Sequence, residues 1–193
     1  MDWIITAIAA YLLGSLPFGL LIASAMGLGD IRQIGSGNIG ATNVLRTGNK
    51  RAAALTLLFD AGKGVVAVLV ARAIFGEGAA GFAGLFVVIG HMFPVFLKFK
   101  GGKGVATFLG TLLALNFPAG LAACAAWLIA AALFRFSSLA AIIAAILAPA
   151  FTFHFYHMHG AILVAIISLL VVARHHANIR RLVKNDEPKI GQK

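Results

Sequence analysis

The stretch Gly104–Phe134, GVATFLGTLLALNFPAGLAACAAWLIAAALF, decides how the chain is folded. It carries no charged residue from end to end. A helix crosses a hydrocarbon core of about 30 Å with roughly 20 apolar residues, so this run is long for one span and short for two. Asn116-Phe117-Pro118 in its middle is a turn signal, because proline disfavours helical backbone in the residue before it. One long helix or two short ones would place everything after Phe134 on opposite sides of a membrane.

The basic residues choose between the two. With two helices here, the odd-numbered loops hold Arg32, Arg46, Lys50 and Arg51, then Lys98, Lys100 and Lys103, then Arg135. The tail adds Arg174, Arg180, Arg181, Lys184, Lys189 and Lys193, all on the same side. Only Lys63 and Arg72 lie within a span, and the opposite side offers Asp2, Glu77 and the histidines His154, His157 and His159, with no basic loop residue. Cytoplasmic loops are the ones that collect Lys and Arg. The expected architecture is therefore an all-α integral membrane protein of about seven transmembrane helices, N-terminus out and C-terminus cytoplasmic. Residues 1–193 read as one domain. The remaining spans are expected over roughly 3–26, 52–75, 80–97 and 136–156, with the last beginning near Gly160.

Composition supports the membrane reading. Of the 193 residues 61% are hydrophobic and 11% charged, with a mean hydropathy of +0.96. A soluble domain carries about 25% charged residues, so most of this surface must face lipid. The net charge of +10 is then a topology signal, and no nucleic-acid partner is expected. Met1-Asp2-Trp3 lacks the basic segment that opens a cleavable signal. Cys124, the only cysteine, sits in an apolar run as an inert residue.

The polar motifs fall at one face. Gly35-Ser36-Gly37-Asn38-Ile39-Gly40-Ala41-Thr42-Asn43-Val44-Leu45-Arg46 alternates glycines with small hydrogen-bonding residues and closes on an arginine. Glycine permits the positive φ angles that turn successive backbone N–H groups toward an anion. No Gly-Lys-Ser/Thr follows, so this is no Walker A loop. Asp60-Ala61-Gly62-Lys63-Gly64 puts an acid and a base three apart inside a helix, either as an internal ion pair or with Lys63 aimed at a substrate. Gly101-Gly102-Lys103-Gly104 opens a helix, where a point charge, close backbone approach and the helix dipole together suit a phosphate. Ser137 and Ser138 after Arg135 suit a helix N-cap or a ligand. His175 and Asn178 stand three apart at the exit of the last helix, beside Arg180. The histidines at 154, 157 and 159 are placed on the far side and are read as interfacial, with no metal expected. His-x4-Asp, Gly-x-Ser-x-Gly and His-Glu-x-x-His are all missing, which argues against a nucleophile elbow or a metal hydrolase.

Together, Gly14-Ser15-Leu16-Pro17-Phe18-Gly19, the Gly35–Arg46 loop, Asp60-x-x-Lys63-Gly64, Gly90-His91-Met92-Phe93-Pro94 through Thr107, Phe134–Ser138 and Arg174-His175-x-x-Asn178-Ile179 resemble the bacterial PlsY family, from about residue 14 to 190. Ile39 stands where that family often has proline, and Lys184–Glu187 follows its glycine-containing tail only loosely. The resemblance implies transfer of an acyl group from acyl phosphate to the 1-hydroxyl of glycerol 3-phosphate, giving lysophosphatidic acid and phosphate, in the bacterial cytoplasmic membrane. It implies no cofactor, and it suggests the soluble enzyme that makes acyl phosphate as a partner. Catalysis would fall to Ser36, Asn38, Arg46, Lys103, His175 and Asn178. Substrate binding would fall to Gly37, Gly40, Thr42, Asn43, Lys63, Gly101, Gly102, Gly104, Ser137, Ser138 and Arg180. The competing class is a transporter for a phosphorylated anion. Motifs gathered at one face, with no inverted repeat, weigh against it.

The topology is testable with single cysteines in a Cys124-free background. Glu77→Cys and Asn185→Cys should label from opposite sides of intact cells; labelling of both from one side would rule out the seven-helix arrangement.

Overall fold

The computed structural model describes residues 1–156 and 158–191. It is helical along its length: α1 (Asp2–Gly14), α2 (Phe18–Ala25), the single turn α3 (Ala41–Val44), α4 (Lys50–Phe75), α5 (Glu77–Met92), α6 (Val105–Leu115), α7 (Phe117–Phe134), α8 (Ser137–Tyr156), α9 (Met158–Arg174) and α10 (His176–Val183). The uncharged run does break at Asn116. The Asn116 side chain accepts from the Ala119 N–H and Pro118 sits in the first turn of α7, which together start a new helix. The two halves are unequal. α6 has 11 residues and α7 has 18, so α6 alone is too short to cross a bilayer.

Among the described residues, five segments are long and apolar enough to span: Asp2–Ala25, Lys50–Phe75, Glu77–Leu97, Phe117–Phe134 and Ser137–Tyr156. Met158–Arg174 and His176–Val183 make a sixth if taken together, bent by 59°. The last helix therefore does not run straight through Asn178, as its sequence suggested; it breaks at His175. Leu133 (72% exposed), Leu169 (69%) and Ile4 (66%) show the apolar outer face that so few charges require. His154 and His159 are exposed, and His157 lies outside the described residues.

The chain groups into two compact units, residues 1–111 and 112–191 of the described chain, with the division inside α6. In the first unit α1 and α4 both pack on α5, and α2 and α3 lie on α4. Glycines set the α1–α5 approach: a Cβ on Gly14 would collide with the Val87 backbone, and one on Gly90 with the Tyr11 carbonyl. Small residues allow helices to approach closely where burial of oil against oil gives no driving force. In the second unit α7, α8 and α9 pack in sequence and α10 returns onto α8. The buried face of α8 is built of Ala140, Ala141, Ala144, Ala145 and Ala148.

The first span is broken at Ser15–Pro17, between α1 and α2. Proline has no N–H and restrains Leu16 before it, so carbonyls of the last α1 turn lose their helical donors. Lys63 of α4 supplies donors at the break: its Nζ donates to the carbonyl of Gly14, the last residue of α1 (2.8 Å), and to that of Leu16 (3.0 Å), which also accepts from the Phe18 N–H. The ammonium charge is balanced by Asp60, 3.2 Å away, one turn earlier on α4. Both side chains are buried, at 1% and 3% exposure. Removing one partner of a buried pair strands the other charge, at a cost of about 3–5 kcal/mol. Lys63→Met should therefore lower the thermal midpoint in detergent sharply, while Lys63→Met with Asp60→Asn loses less; equal losses would show that the pair does not act as a unit.

Candidate functional site

In the first unit the loop from α2 to α4 is shaped by Asn43, 1% exposed. Its Nδ2 donates to the Ile31 carbonyl (2.7 Å), and its Oδ1 accepts from the Ser36 N–H (3.1 Å) and hydroxyl (3.4 Å). Both ends of the amide are thus engaged inside the loop. Gly35 and Gly37 take positive φ (52° and 67°), the left-handed region that side chains disfavour. Gly37 donates to the Ile34 carbonyl and Asn43 to the Gly40 carbonyl. The N–H groups of Asn38, Ile39 and Gly40 make no hydrogen bond among the described residues. Of this segment Ser36 is exposed and Asn38 and Gly40 are half-buried, which makes it the accessible part of the loop, while Ile39 is buried. Thr42 is half-buried on the short α3.

Arg46 lies against Gly35, where a Cβ would run into its guanidinium. It has no hydrogen-bond or ion-pair partner among the described residues. Arg32 differs: it forms a bidentate pair with Asp30 (2.6 Å at the closest). The hydrogen bonds from Arg32 hold the Asp30 carboxyl down at about 2. The loop's uncommitted cation is therefore Arg46.

The second glycine run serves shape. Gly101 N–H donates to the Met92 carbonyl (3.2 Å) and Gly102 N–H to the His91 carbonyl (3.1 Å), so neither amide is left for an anion. A Cβ on Gly101 would collide with the His91 carbonyl and Pro94, and one on Gly102 with the His91 ring. Gly104 has φ +83° and would press on Met92. The glycines bring the chain against the end of α5 and leave half-buried Lys103 just before α6. His91 in turn lies 3.6 Å from Asp60 through Nδ1, which ties this loop to the ionic core. Lys63, which the sequence offered as an internal ion pair, a substrate contact or both, pairs with Asp60 and donates to the Gly14 and Leu16 carbonyls.

In the second unit His175 is the residue at which α9 gives way to α10, and it is 2% exposed. Its Nδ1 lies 2.7 Å from the Val171 carbonyl. A carbonyl only accepts, so Nδ1 carries the proton and a neutral ring keeps its lone pair on Nε2. The Nδ1 side of the ring is thus oriented by a neutral carbonyl. Asn178, 3% exposed, donates through Nδ2 to Glu187 (2.6 Å). Ser138 donates to the same carboxylate oxygen (2.6 Å) and Arg181 Nε to the other (2.7 Å). Ser137 is half-buried and Arg180 exposed. The tail is drawn back further by Ile190 N–H on the Arg135 carbonyl (2.7 Å) and Lys189 over the Phe136 ring.

The sequence reading missed Glu187 and Arg181. Their only signal was a lone acidic pair, Asp186-Glu187, in a basic tail. It also missed the pairing of His91 with Asp60. Ser36, Asn38, Arg46, Lys103 and the loop glycines fall in the first unit; Ser137, Ser138, His175, Asn178 and Arg180 fall in the second.

A helical membrane chain whose glycine-rich loop carries an arginine and three backbone N–H groups with no partner among the described residues defines a membrane protein with a candidate anion-binding loop. Comparison with known proteins sharpens this. Residues 4–185 match the family described as glycerol-3-phosphate acyltransferase. A glycerol-3-phosphate acyltransferase of Jannaschia sp. (strain CCS1) is 61% identical over 97% of this chain and 93% of its own length. One of Rhodospirillum rubrum is 55% identical over 98% of this chain and 91% of its own. The crystal structure of PlsY (YgiH), an integral membrane glycerol 3-phosphate acyltransferase, in its glycerol 3-phosphate form has a TM-score of 0.93, with 40% identity over 99% of this chain and 96% of that one. Its lysophosphatidic acid form has a TM-score of 0.89, with 38% identity. The chain belongs to the glycerol-3-phosphate acyltransferase (PlsY) family.

Proposed function

We propose that this chain, acting as a single domain in the bacterial cytoplasmic membrane, transfers a fatty acyl group from acyl phosphate to the 1-hydroxyl of sn-glycerol 3-phosphate. The bond from the acyl carbon to the phosphate oxygen breaks, the ester bond forms, and lysophosphatidic acid and inorganic phosphate leave. The observation that carries this reading is Arg46, a guanidinium with no partner among the described residues, packed against Gly35 in the same loop whose Asn38–Gly40 N–H groups make no hydrogen bond among them, in a chain of this family.

The donor is already activated, so the protein's task is to hold two anions, align hydroxyl with carbonyl and stabilise the developing oxyanion. Arg46 and Lys103 clamp phosphate oxygens; Ser36, Asn38 and the loop N–H groups supply hydrogen bonds to phosphate and oxyanion. Gly37, Gly40, Thr42, Asn43, Gly101, Gly102 and Gly104 hold those groups in place, and Lys63 secures the broken first span behind them. Ser137, Ser138, His175, Asn178 and Arg180 serve glycerol phosphate. His175 orients that substrate, and a phosphate oxygen takes the hydroxyl proton; the ring's Nδ1 is held by the Val171 carbonyl, a neutral acceptor that does not raise the basicity of Nε2 as a carboxylate would. The soluble enzyme that makes acyl phosphate delivers its product at the cytoplasmic face.

Purified protein in detergent, given acyl phosphate and labelled glycerol 3-phosphate, should yield labelled lysophosphatidic acid; liposome uptake without product would mean a transporter. Lys103→Ala should lose about ten- to hundredfold in kcat/KM with its thermal midpoint retained, as expected for one charged hydrogen bond of about 1.5–3 kcal/mol. Unchanged kcat/KM would assign Lys103 to topology alone. His175→Asn should raise KM for glycerol 3-phosphate and keep appreciable kcat, whereas a general base would lose about 10²–10⁴-fold in kcat.

A further inference from the structure

Glu187 touches none of the groups assigned above to phosphate, yet three donors converge on it. Its Oε1 accepts from Ser138 Oγ and Asn178 Nδ2, both at 2.6 Å, and its Oε2 accepts from Arg181 Nε at 2.7 Å. The side chain is 6% exposed. Burial raises the Glu187 carboxyl, but the hydrogen bonds from Ser138, Asn178 and Arg181, with the Arg181 charge, outweigh it and hold the group below its ordinary range. It is an ionised, acceptor-only group at neutral pH.

That fixes the polarity of Asn178. A carboxylate cannot donate, so the amide must present NH2 to Glu187 and turn its carbonyl oxygen the other way. The Asn178 Oδ1 is buried and has no hydrogen-bond partner among the described residues. A buried, partnerless acceptor is unfavourable, and such an atom calls for a donor from outside the chain.

We infer that Glu187 is a positioning residue that locks the Asn178 carbonyl outward as the acceptor for a hydroxyl of the bound glycerol phosphate. The inference rests on the proposed reaction for the identity of that substrate. It reverses the simplest role for an asparagine among basic residues: a bare Oδ1 repels phosphate oxygens and accepts only from a donor. An alcohol held by its O–H on Asn178 has its oxygen lone pairs free for the acyl carbon. Phosphate, which at neutral pH is mainly an acceptor, is left to the cations and N–H groups. Selection of an alcohol thus follows from one carboxylate in the tail.

A polarity cycle tests it. In Glu187→Gln, Arg181 still demands an acceptor at the Oε2 position, so the introduced NH2 falls at the Oε1 position and faces Asn178. Asn178 then flips and points its own NH2 at the substrate. Glu187→Gln should keep a near-native thermal midpoint and lose about ten- to hundredfold in kcat/KM, mostly as KM for glycerol 3-phosphate. Asn178→Asp alone sets two carboxylates face to face and should also be impaired. Combining Asn178→Asp with Glu187→Gln lets the glutamine donate to one carboxylate oxygen while the other again faces outward as an acceptor, so activity should recover well above both single variants. If Asn178 instead donates its NH2 to phosphate, Glu187→Gln is neutral or improved and the double variant is the worst of the three, which overturns the inference. A folded double variant no better than the singles overturns it too, leaving Glu187 as a structural tie. Should Glu187→Gln fail to fold, the double variant against Asn178→Asp carries the same comparison. Wild-type turnover separates the two levels: product from the wild type without rescue removes this inference alone, and no product from the wild type removes the proposed reaction on which it rests.

Discussion

A helix that breaks inside an apolar layer leaves backbone carbonyls with no water and no helical donor, and each such group is costly. The first span of this protein breaks at Ser15–Pro17, and the carbonyls of Gly14 and Leu16 are met by the Lys63 ammonium from α4. That ammonium could not be buried alone. Asp60 balances it, and His91 lies against Asp60 in turn. The Lys63–Asp60 pair therefore joins the broken helix to α4, and His91 at the end of α5 packs against it. His91 also sits under Gly102, so the loop that presents Lys103 is seated on the same group. Charges that look like ligands in the sequence act here as the foundation for groups that can bind one.

The two glycine-rich runs use glycine differently. In the Gly35–Arg46 loop, positive φ at Gly35 and Gly37 turns the chain while Asn43 ties off its interior, leaving the N–H groups of Asn38–Gly40 and the Arg46 guanidinium uncommitted. In Gly101–Gly104 the amides of Gly101 and Gly102 are committed to carbonyls of α5, and the missing side chains make room for His91, Pro94 and Met92. An anion-binding reading of the first run retains its donors. For the second, it contracts to Lys103.

Much of this was legible in the sequence because it depends on local rules. Long apolar runs marked the membrane helices though not that α6 would be too short to span, Asn116-Phe117-Pro118 gave the break between α6 and α7, and alternation of glycine with small polar residues marked the loop whose Asn38–Gly40 N–H groups stay unbonded among the described residues. Legibility failed where a contact joins distant positions. Nothing local says that Lys63 will reach carbonyls 47 and 49 residues earlier, so an ion pair and a substrate contact looked equally good. Helical periodicity put His175 and Asn178 on one face, yet the 59° bend at His175 replaced the straight helix on which that spacing was counted. The tail's role was not legible because Lys184–Glu187 follows the family's glycine-containing tail only loosely. Its importance lies in a carboxylate that returns to Ser138, 49 residues before it.

Asparagine recurs at the decisive points of both units, and its two-ended chemistry explains why. Asn43 offers Nδ2 to a carbonyl and Oδ1 to an N–H and a hydroxyl, so both ends are satisfied and the residue can only be a tie. Asn178 has one end satisfied, by a group that cannot accept the other orientation, and one end bare. A neighbour able both to donate and to accept would let the amide rotate and give no fixed polarity. A carboxylate removes that freedom, because flipping would set two acceptors against each other. The contrast separates scaffold from site without reference to position in the sequence: an amide with both ends held builds the loop, and an amide with one end locked and the other empty awaits a donor.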